Sequence, residues 1–345
     1  MASELMDDNE TTLCFGAEQR LIGVLASPGG NGQDTRIGCL LLNVGVNHRI
    51  GPRRINVKLA RQLAAVGIPS LRFDLSGIGD SRASAAQNDF RQQALLDMKA
   101  ALDQMQSATG LDHFIVIGIC SGAVNGMALA VDDARVVGLL MVDGYTFLTR
   151  SVRVERKLRR LAAFLVNPAI RRSFGAWNDW NAWLRSPLDP QARRTALGRV
   201  FGRFTPRTTE ETGILTADMA AYQPHEFIRD MGALVERGVD VYLVYTASVI
   251  PVDRGRQLIK GLGQPAVLAR VRYEHWPNVD HTSTLLASQR QLLDSACGWA
   301  THIHAAQPAV QSAPPRAAPA EASARRPSAA ARLAALERRL ESPST

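Results

Sequence analysis

One short segment indicates the architecture of this chain: His113-Phe114-Ile115-Val116-Ile117-Gly118-Ile119-Cys120-Ser121-Gly122-Ala123. Its first half is an apolar run that is typical of a buried strand, and the small residues that follow, Gly122–Val131, are typical of a helix. Between them lies the pattern small-x-nucleophile-x-small, which predicts a sharp strand-to-helix turn with a strained residue at its tip. A tight turn without any chemistry would carry the same pattern and stays the alternative.

The size of the neighbouring side chains indicates which residue is the nucleophile. The residues two before and two after the tip must be small, because their Cβ atoms would otherwise collide across the turn. With Cys120 at the tip, these neighbours are Gly118 and Gly122. With Ser121 at the tip, the bulky Ile119 would take one of the two positions. We therefore predict Cys120 as the nucleophile and the backbone N–H of Ser121 as one oxyanion donor.

Strand-like and helix-like segments alternate on both sides of this turn. The predicted strands are Thr11–Phe15, Leu21–Ala26, Gly38–Val44, Ser70–Phe73, His113–Ile119, Val136–Val142, Val239–Tyr245 and Val267–Tyr273. The predicted helices include Arg53–Val66, Phe90–Met105, Arg254–Leu262 and Thr284–His302. Such alternation predicts an α/β protein with a mostly parallel sheet that is covered on both faces.

Two regions interrupt this alternation and define the predicted domains. Residues 145–236 are far too long for an ordinary connection between strands, so we predict an inserted helical cap there. The cap carries fourteen basic residues between Arg150 and Arg207, and Trp177, Trp180 and Trp183 share one helical face. Residues 305–345 read as a flexible Ala/Pro-rich linker followed by a short C-terminal helix. The core is then formed by residues 1–144 and 237–304.

Three further segments, together with the turn at Cys120, resemble the α/β-hydrolase fold superfamily over roughly Thr11 to His304. Leu40–Val46 lies where that superfamily places its oxyanion loop, Leu71–Ser81 is similar to its R-x-D-x-x-G-x-G-x-S turn, and Val279–Thr282 precedes the last helix, where its catalytic His lies. An Arg-x-Gly turn at Arg49–Gly51 and the Cys in the nucleophile elbow are similar to the serine-aminopeptidase-like hydrolases, in particular those associated with exosortase loci. The resemblance implies the α/β-hydrolase fold, a mostly parallel central sheet with an inserted helical cap.

The resemblance also implies roles for individual residues. His281 would be the base, and the N–H of Val46 or of Gly45 would be the second oxyanion donor. The position of the acid departs from the usual pattern and leaves two candidates. Asp143 follows the strand next to the nucleophile, where some lipases of this fold carry their acid, and Asp253 lies at the start of a predicted helix, where it could equally be an N-cap. We favour Asp143 slightly.

A cysteine nucleophile indicates the class of substrate. A neighbouring imidazolium and a helix N-terminus both convert a thiol into the reactive thiolate, so the acid matters less than for a serine. We expect an enzyme that acts through an acyl-enzyme on an acyl thioester or ester, as a thioesterase or an acyltransferase, without metal or organic cofactor. The basic cap would suit an acyl group carried on coenzyme A or on an acidic carrier protein, with docking through the C-terminal helix. The alternatives are a general esterase or peptidase-like hydrolase and a catalytically silent scaffold.

Composition sets the remaining expectations. The 345 residues carry a net charge of +8, which favours anionic partners without identifying nucleic acid. The four cysteines, at 14, 39, 120 and 297, have neither disulfide-framework nor metal-site spacing, which favours a reducing compartment. No apolar stretch approaches the roughly 20 residues that a membrane helix needs, and the acidic first ten residues do not read as a signal peptide. We therefore expect a cytoplasmic protein without a membrane span and without a nucleic-acid partner.

Overall fold

A computed structural model describes residues 9–29, 35–145, 223–247 and 265–307. Its strands are β1 (Glu10–Phe15), β2 (Leu21–Ala26), β3 (Gly38–Leu41), β4 (Ser70–Phe73), β5 (Phe114–Ile119), β6 (Val136–Val142), β7 (Asp240–Thr246) and β8 (Arg272–Trp276). Its α-helices are α1 (Ile55–Ala65), α2 (Phe90–Thr109), α3 (Ser121–Asp132), α4 (Pro224–Glu236), α5 (Pro265–Leu268) and α6 (Leu286–Ala306). None of the helices in these ranges combines the length and apolarity that crossing a bilayer requires.

The described strands form one sheet of eight strands in the order β1-β2-β4-β3-β5-β6-β7-β8. β2 pairs antiparallel with β1 and β4, and every other pair in the sheet is parallel. The carboxyl ends of β5, β6, β7 and β8 therefore meet at one edge of the sheet, which is where open α/β sheets place their sites. The architecture is the α/β-hydrolase fold, and the predicted fold class is confirmed.

Apolar side chains of each central strand are divided between the two faces of the sheet. In β5, Phe114 and Val116 lie in the core that α2, α3 and α4 cover, whereas Ile115 and Ile117 lie in the core that α1 and α6 cover. Every residue of β5 is buried. Because neighbouring residues of a strand point to opposite faces, a strand covered on both sides must be apolar throughout. This explains the continuous apolar run from which the strand was predicted.

Helix α3 lies close to the sheet because its residues are small. A Cβ atom on Gly126 would lie 3.2 Å from side-chain atoms of both Val116 and Leu139, in the two strands beneath the helix. A larger side chain at this position would lift the helix from the sheet or force its neighbours to move. The small residues therefore bring the first turn of α3 close to the carboxyl ends of β5 and β6.

The strand boundaries differ from the sequence-based prediction at β3, which ends at Leu41 and not at Val44, and at the last strand. The last strand begins at Arg272 and not at Val267, because Pro265–Leu268 forms α5 and the residues that pair with β7 are Arg272–Trp276. Helix α4 lies inside the segment predicted as the cap, but Phe227 and Leu234 are buried in the same core as α2 and α3. The other residues of that segment from 146 to 222 lie outside the described residues, as do Asp253 and residues 308–345.

Candidate active site

Cys120 is located at the tip of a strained turn between β5 and α3. Its φ of 57° lies in the left-handed region, which a residue with a side chain adopts at a cost of about 1–3 kcal/mol. The turn is held by the Cys120 N–H, which donates to the carbonyl oxygen of Val142 at 2.8 Å, and by the Cys120 carbonyl, which accepts from Ala123 at 3.1 Å. Cys120 is half-buried and is the N-cap residue of α3. Its side chain therefore lies at the positive end of a helix.

The two glycines that flank Cys120 are required by close backbone contacts. A Cβ atom on Gly118 would overlap with the carbonyl oxygen of Gly122 on the other side of the turn. A Cβ atom on Gly122 would lie 2.6 Å from the carbonyl oxygen of Asn43, in the loop after β3. Both obstacles are backbone atoms, so neither can be relieved by rotation of a side chain. This steric requirement is the reason why the sequence predicts residue 120, and not residue 121, at the tip of the turn.

Asp143, directly after β6, is fixed by three hydrogen bonds. It is 2% exposed, and its Oδ2 lies 2.8 Å from Nδ1 of His281. The backbone N–H and the hydroxyl of Thr246, at the end of β7, donate to Oδ1 and Oδ2, each at 2.7 Å. Asp143 is thus the carboxylate that the described residues bring to His281, and the rival Asp253 lies outside those residues. Its role as the acid stays a prediction.

His281 lies in the loop after β8 and connects Asp143 with Cys120. The hydrogen bond with Asp143 and, second, the hydrogen bond with the Cys120 side chain raise the pKa of His281 from 6.5 to about 10, although burial opposes the shift. A histidine with this pKa carries a proton at neutral pH. The imidazolium would therefore stand between a carboxylate and a sulfur atom.

Of the three predicted oxyanion donors, only Ser121 is both buried and next to the sulfur. As the first residue of α3, its N–H has no acceptor within the helix. The N–H of Gly45 is already engaged, because it donates to the Ser121 hydroxyl at 2.8 Å. Val46 is 78% exposed. Direct donation from Gly45 would therefore require the Ser121 hydroxyl to turn away.

A polar network that was not predicted holds the loop after β3. Asp74 is fully buried, and its carboxylate accepts hydrogen bonds from Asn43 Nδ2 at 3.2 Å, from Asp80 N–H at 3.1 Å and from the backbone and side chain of Arg49. Asn43 Oδ1 in turn accepts from the N–H of Leu75 at 3.1 Å. The network ties the loop that carries Gly45 to the turn after β4. The only sequence signal for this network was the R-x-D-x-x-G-x-G-x-S pattern, which contains Asp74 but does not reveal that Asn43 and Arg49 bind it.

Arg49 is the cation of this network. Its Nη1 lies 2.6 Å from Asp74 Oδ2, 2.7 Å from Asp80 Oδ2 and 2.6 Å from His48 Nε2. His48, Asp74 and Asp80 also have the spacing of a metal-ligand group. The guanidinium already lies between them and balances the buried charge, and the two carboxylates raise the pKa of Arg49 above its ordinary value despite opposing burial. We therefore interpret the cluster as structural.

Comparisons with known proteins give partial matches. No family model matches the chain. RutD of Escherichia coli (strain K12 / DH10B), named as a carbamate hydrolase, is 30% identical over 125 residues, which is 35% of this chain and 42% of the relative. The RutD of Escherichia coli O9:H4 (strain HS) gives the same values. The chain thus spans less than half the length of the curated relatives it matches.

Solved structures resemble the chain over most of its length but at low identity. Est1E from Butyrivibrio proteoclasticus is 12% identical with a TM-score of 0.49, over 87% of this chain and 100% of that chain. Proline iminopeptidase from Mycobacterium smegmatis is 15% identical with a TM-score of 0.48, over 86% and 98% of the two chains. The strand order and the strand-to-helix turn at Cys120 place this chain among the proteins with the α/β-hydrolase fold.

Proposed function

We propose that the protein is a cysteine-dependent α/β hydrolase that acts through an acyl-enzyme on acyl thioesters or esters, as a thioesterase or an acyltransferase. Cys120 is the nucleophile, His281 is the general acid and base, and Asp143 orients His281. The single observation that supports this most strongly is the continuous line of contacts from Asp143 through His281 to the sulfur at the tip of the turn. The three residues follow β5, β6 and β8, so three parallel strands converge on one site.

The first chemical step follows from the charges in the site. The Cys120 thiolate attacks the acyl carbonyl carbon, a carbon–sulfur bond forms, and the carbonyl π electrons move to the oxygen. When the carbonyl reforms, the bond to the leaving thiolate or alkoxide breaks, and that group takes the bonding electrons and the proton of His281. His281, now neutral, can accept a proton from water or from another acceptor, which then attacks the acyl-enzyme. Hydrolysis and acyl transfer differ only in this second nucleophile.

Thioesters are the preferred substrate class for a chemical reason. Exchange of an acyl group between one sulfur and another is nearly isoenergetic, so an enzyme thioester forms readily from a substrate thioester. The fourteen basic residues between Arg150 and Arg207 would suit the phosphates of coenzyme A or an acidic carrier protein. Those residues lie outside the described ranges, so the carrier is proposed from charge alone.

The test is the intact mass of the protein when its reaction with excess acyl-coenzyme A thioester is stopped by acid during the first turnovers. We expect one acyl adduct on the wild type and none on Cys120→Ala. Cys14→Ala is the matched control, because Cys14 is the exposed cysteine and would be the site of non-specific acylation. Loss of the adduct in Cys14→Ala, or an adduct that persists in Cys120→Ala and disappears in Ser121→Ala, would overturn the proposal.

Rates with oxygen esters, carbamate esters and thioesters of the same acyl group then define the substrate class. Carbamate esters belong in this comparison because RutD, the relative that matches part of the chain, is named for carbamate hydrolysis. A thioester preference of less than about threefold would favour the general esterase. The acceptor is identified by adding thiols and amines and following the product mass, because hydrolysis alone releases the free acid.

A further inference from the structure

The hydroxyl of Ser121 follows directly after the proposed nucleophile and has a backbone amide as its partner. The N–H of Gly45 donates to Ser121 Oγ at 2.8 Å, and Ser121 is 5% exposed. A hydroxyl has two acceptor lone pairs and one proton to donate. Within the ranges that the structure describes, no residue accepts the proton of this hydroxyl. The proton of this hydroxyl is therefore not committed to any partner among the described residues.

We infer that the Ser121 hydroxyl donates a hydrogen bond to the oxyanion that forms on the acyl carbonyl. The inference rests on the proposed function and assigns to Ser121 a second donor in addition to its backbone N–H. Both donors belong to the first residue of α3, where the free N–H groups of the helix already create a positive end. When Cys120, the residue before Ser121, attacks the acyl carbonyl, the oxyanion would form beside this end of the helix.

Gly45 acquires a different role from the one predicted from the sequence. Its N–H donates to the lone pair of Ser121 Oγ and not to the oxyanion. This bond turns the hydroxyl proton away from Gly45, and it polarises the O–H group, since linked hydrogen bonds strengthen one another. Gly45 is then a positioning residue that acts through Ser121. The network of Asp74 and Arg49 holds the Gly45 loop and so maintains this arrangement.

The electron balance shows where the hydroxyl acts. As the thiolate of Cys120 bonds to the carbonyl carbon, the π electrons of the C=O bond become a lone pair on oxygen. The Ser121 proton is shared with this oxygen through a hydrogen bond and is not transferred. When the leaving group departs, the lone pair re-forms the C=O bond and the hydrogen bond weakens. The hydroxyl therefore stabilises the intermediate more than the substrate, which lowers the barrier.

The first measurement is the single-turnover rate of acylation from an acyl-coenzyme A thioester in Ser121→Ala. We expect the maximal acylation rate to fall by about 10²-fold, as it does when one oxyanion donor is removed. The thioester concentration that gives the half-maximal rate should change little. Ser121→Gly should show the same loss, which keeps the test open if one variant is unstable. Ser70→Ala is the control, because Ser70 is fully buried, is far along the chain on β4 and has an unpartnered hydroxyl.

A second measurement separates oxyanion stabilisation from a structural role. In a dithioester the carbonyl oxygen is replaced by sulfur, which accepts hydrogen bonds poorly. Wild type should therefore acylate faster from the thioester than from the matched dithioester, and this ratio should shrink by about the same 10²-fold in Ser121→Ala. Distortion of the turn would slow both substrates equally and leave the ratio unchanged.

The outcomes distinguish this inference from the proposed function. If Cys120 is acylated in the wild type but Ser121→Ala keeps its rate, the Gly45 N–H released by the substitution serves the oxyanion directly, and the inference is wrong while the proposed function stands. An unchanged oxygen-to-sulfur ratio in a slowed Ser121→Ala also overturns it. If no adduct forms on wild-type Cys120 with any thioester, both proposals fail.

Discussion

Replacing Asp143 by Asn changes one atom of a buried group that accepts three hydrogen bonds. Three donors face the carboxylate, namely His281 Nδ1–H and the N–H and O–H groups of Thr246. The Asn side chain offers one acceptor oxygen and one NH₂ group. With its oxygen at the Oδ2 position, the NH₂ group faces the N–H of Thr246. With its oxygen at the Oδ1 position, the NH₂ group faces His281 and forces the imidazole into the wrong tautomer. Neither orientation satisfies all partners.

The magnitude follows from this geometry. One buried donor left without an acceptor costs about 1–3 kcal/mol, so we expect the free energy of unfolding of Asp143→Asn to fall by that amount. The hydrogen bond with Asp143 is the largest cause of the raised pKa of His281, so that pKa should fall from about 10 towards 6.5. In Ser-His-Asp hydrolases the corresponding change slows catalysis by about 10⁴. A thiolate needs less help from its base, so we expect about 10²-fold here.

Three assays follow these effects: urea unfolding, an NMR titration of His281 and the single-turnover acylation rate. Asp253→Asn is the matched control, because Asp253 is the other carboxylate that the sequence offers for this role. We expect Asp253→Asn to behave as the wild type in all three. The assignment of Asp143 as the acid would be refuted if Asp143→Asn kept the wild-type titration of His281 and the wild-type acylation rate while Asp253→Asn acylated slowly.

Four other substitutions test separate parts of the site. The pKa of His281 is raised in the folded state, so protonation of His281 stabilises the fold fully below about pH 6.5 and no longer does so once the pH has risen through about 10. The difference in unfolding free energy between wild type and His281→Gln should therefore shrink over that pH range. Gly118→Ala should destabilise by at least about 1–3 kcal/mol in urea unfolding, because its Cβ meets a backbone carbonyl. Arg49→Met should destabilise by about 3–5 kcal/mol, because it leaves the buried carboxylate of Asp74 without its cation. Cys120→Ser should form the acyl adduct much more slowly than the wild type in intact-mass time courses, because a serine hydroxyl is a weaker acid than a thiol and must give up its proton to His281 during the attack.

The parts of the fold and site that the sequence could predict are those set by local rules. The turn at Cys120 follows from the size of Gly118 and Gly122, and the central strands follow from their continuous apolar runs. The position of Asp143 beside His281 could not be derived in this way. It depends on which strand lies next to β5, and the local sequence favoured Asp143 only slightly over Asp253.

The network around Asp74 and the contact between Gly45 and Ser121 were missed for a related reason. Asn43 and Arg49 reach Asp74 only because β3 and β4 are parallel neighbours, so these partners are separated along the chain, whereas Asp80 is a local partner in the turn after β4. A single sequence carries no signal for such pairings beyond the residue types. The start of β8 was placed too early because the apolar residues of α5 resemble those of a strand over so short a segment.

The charge state of His281 connects the nucleophile with the substrate. A histidine that is protonated at neutral pH is a poor base for a serine hydroxyl but a good acid for a leaving group. A sulfur nucleophile depends less on that base than a hydroxyl does, because a thiol loses its proton far more readily. Once His281 has given its proton to the departing thiolate, it is neutral and can activate water or an acceptor for the second step. The hydrogen bond with Asp143, which Thr246 helps to hold in place, is the largest cause of the raised pKa of His281, and under the proposed function the proton held there is the one given to the departing thiolate.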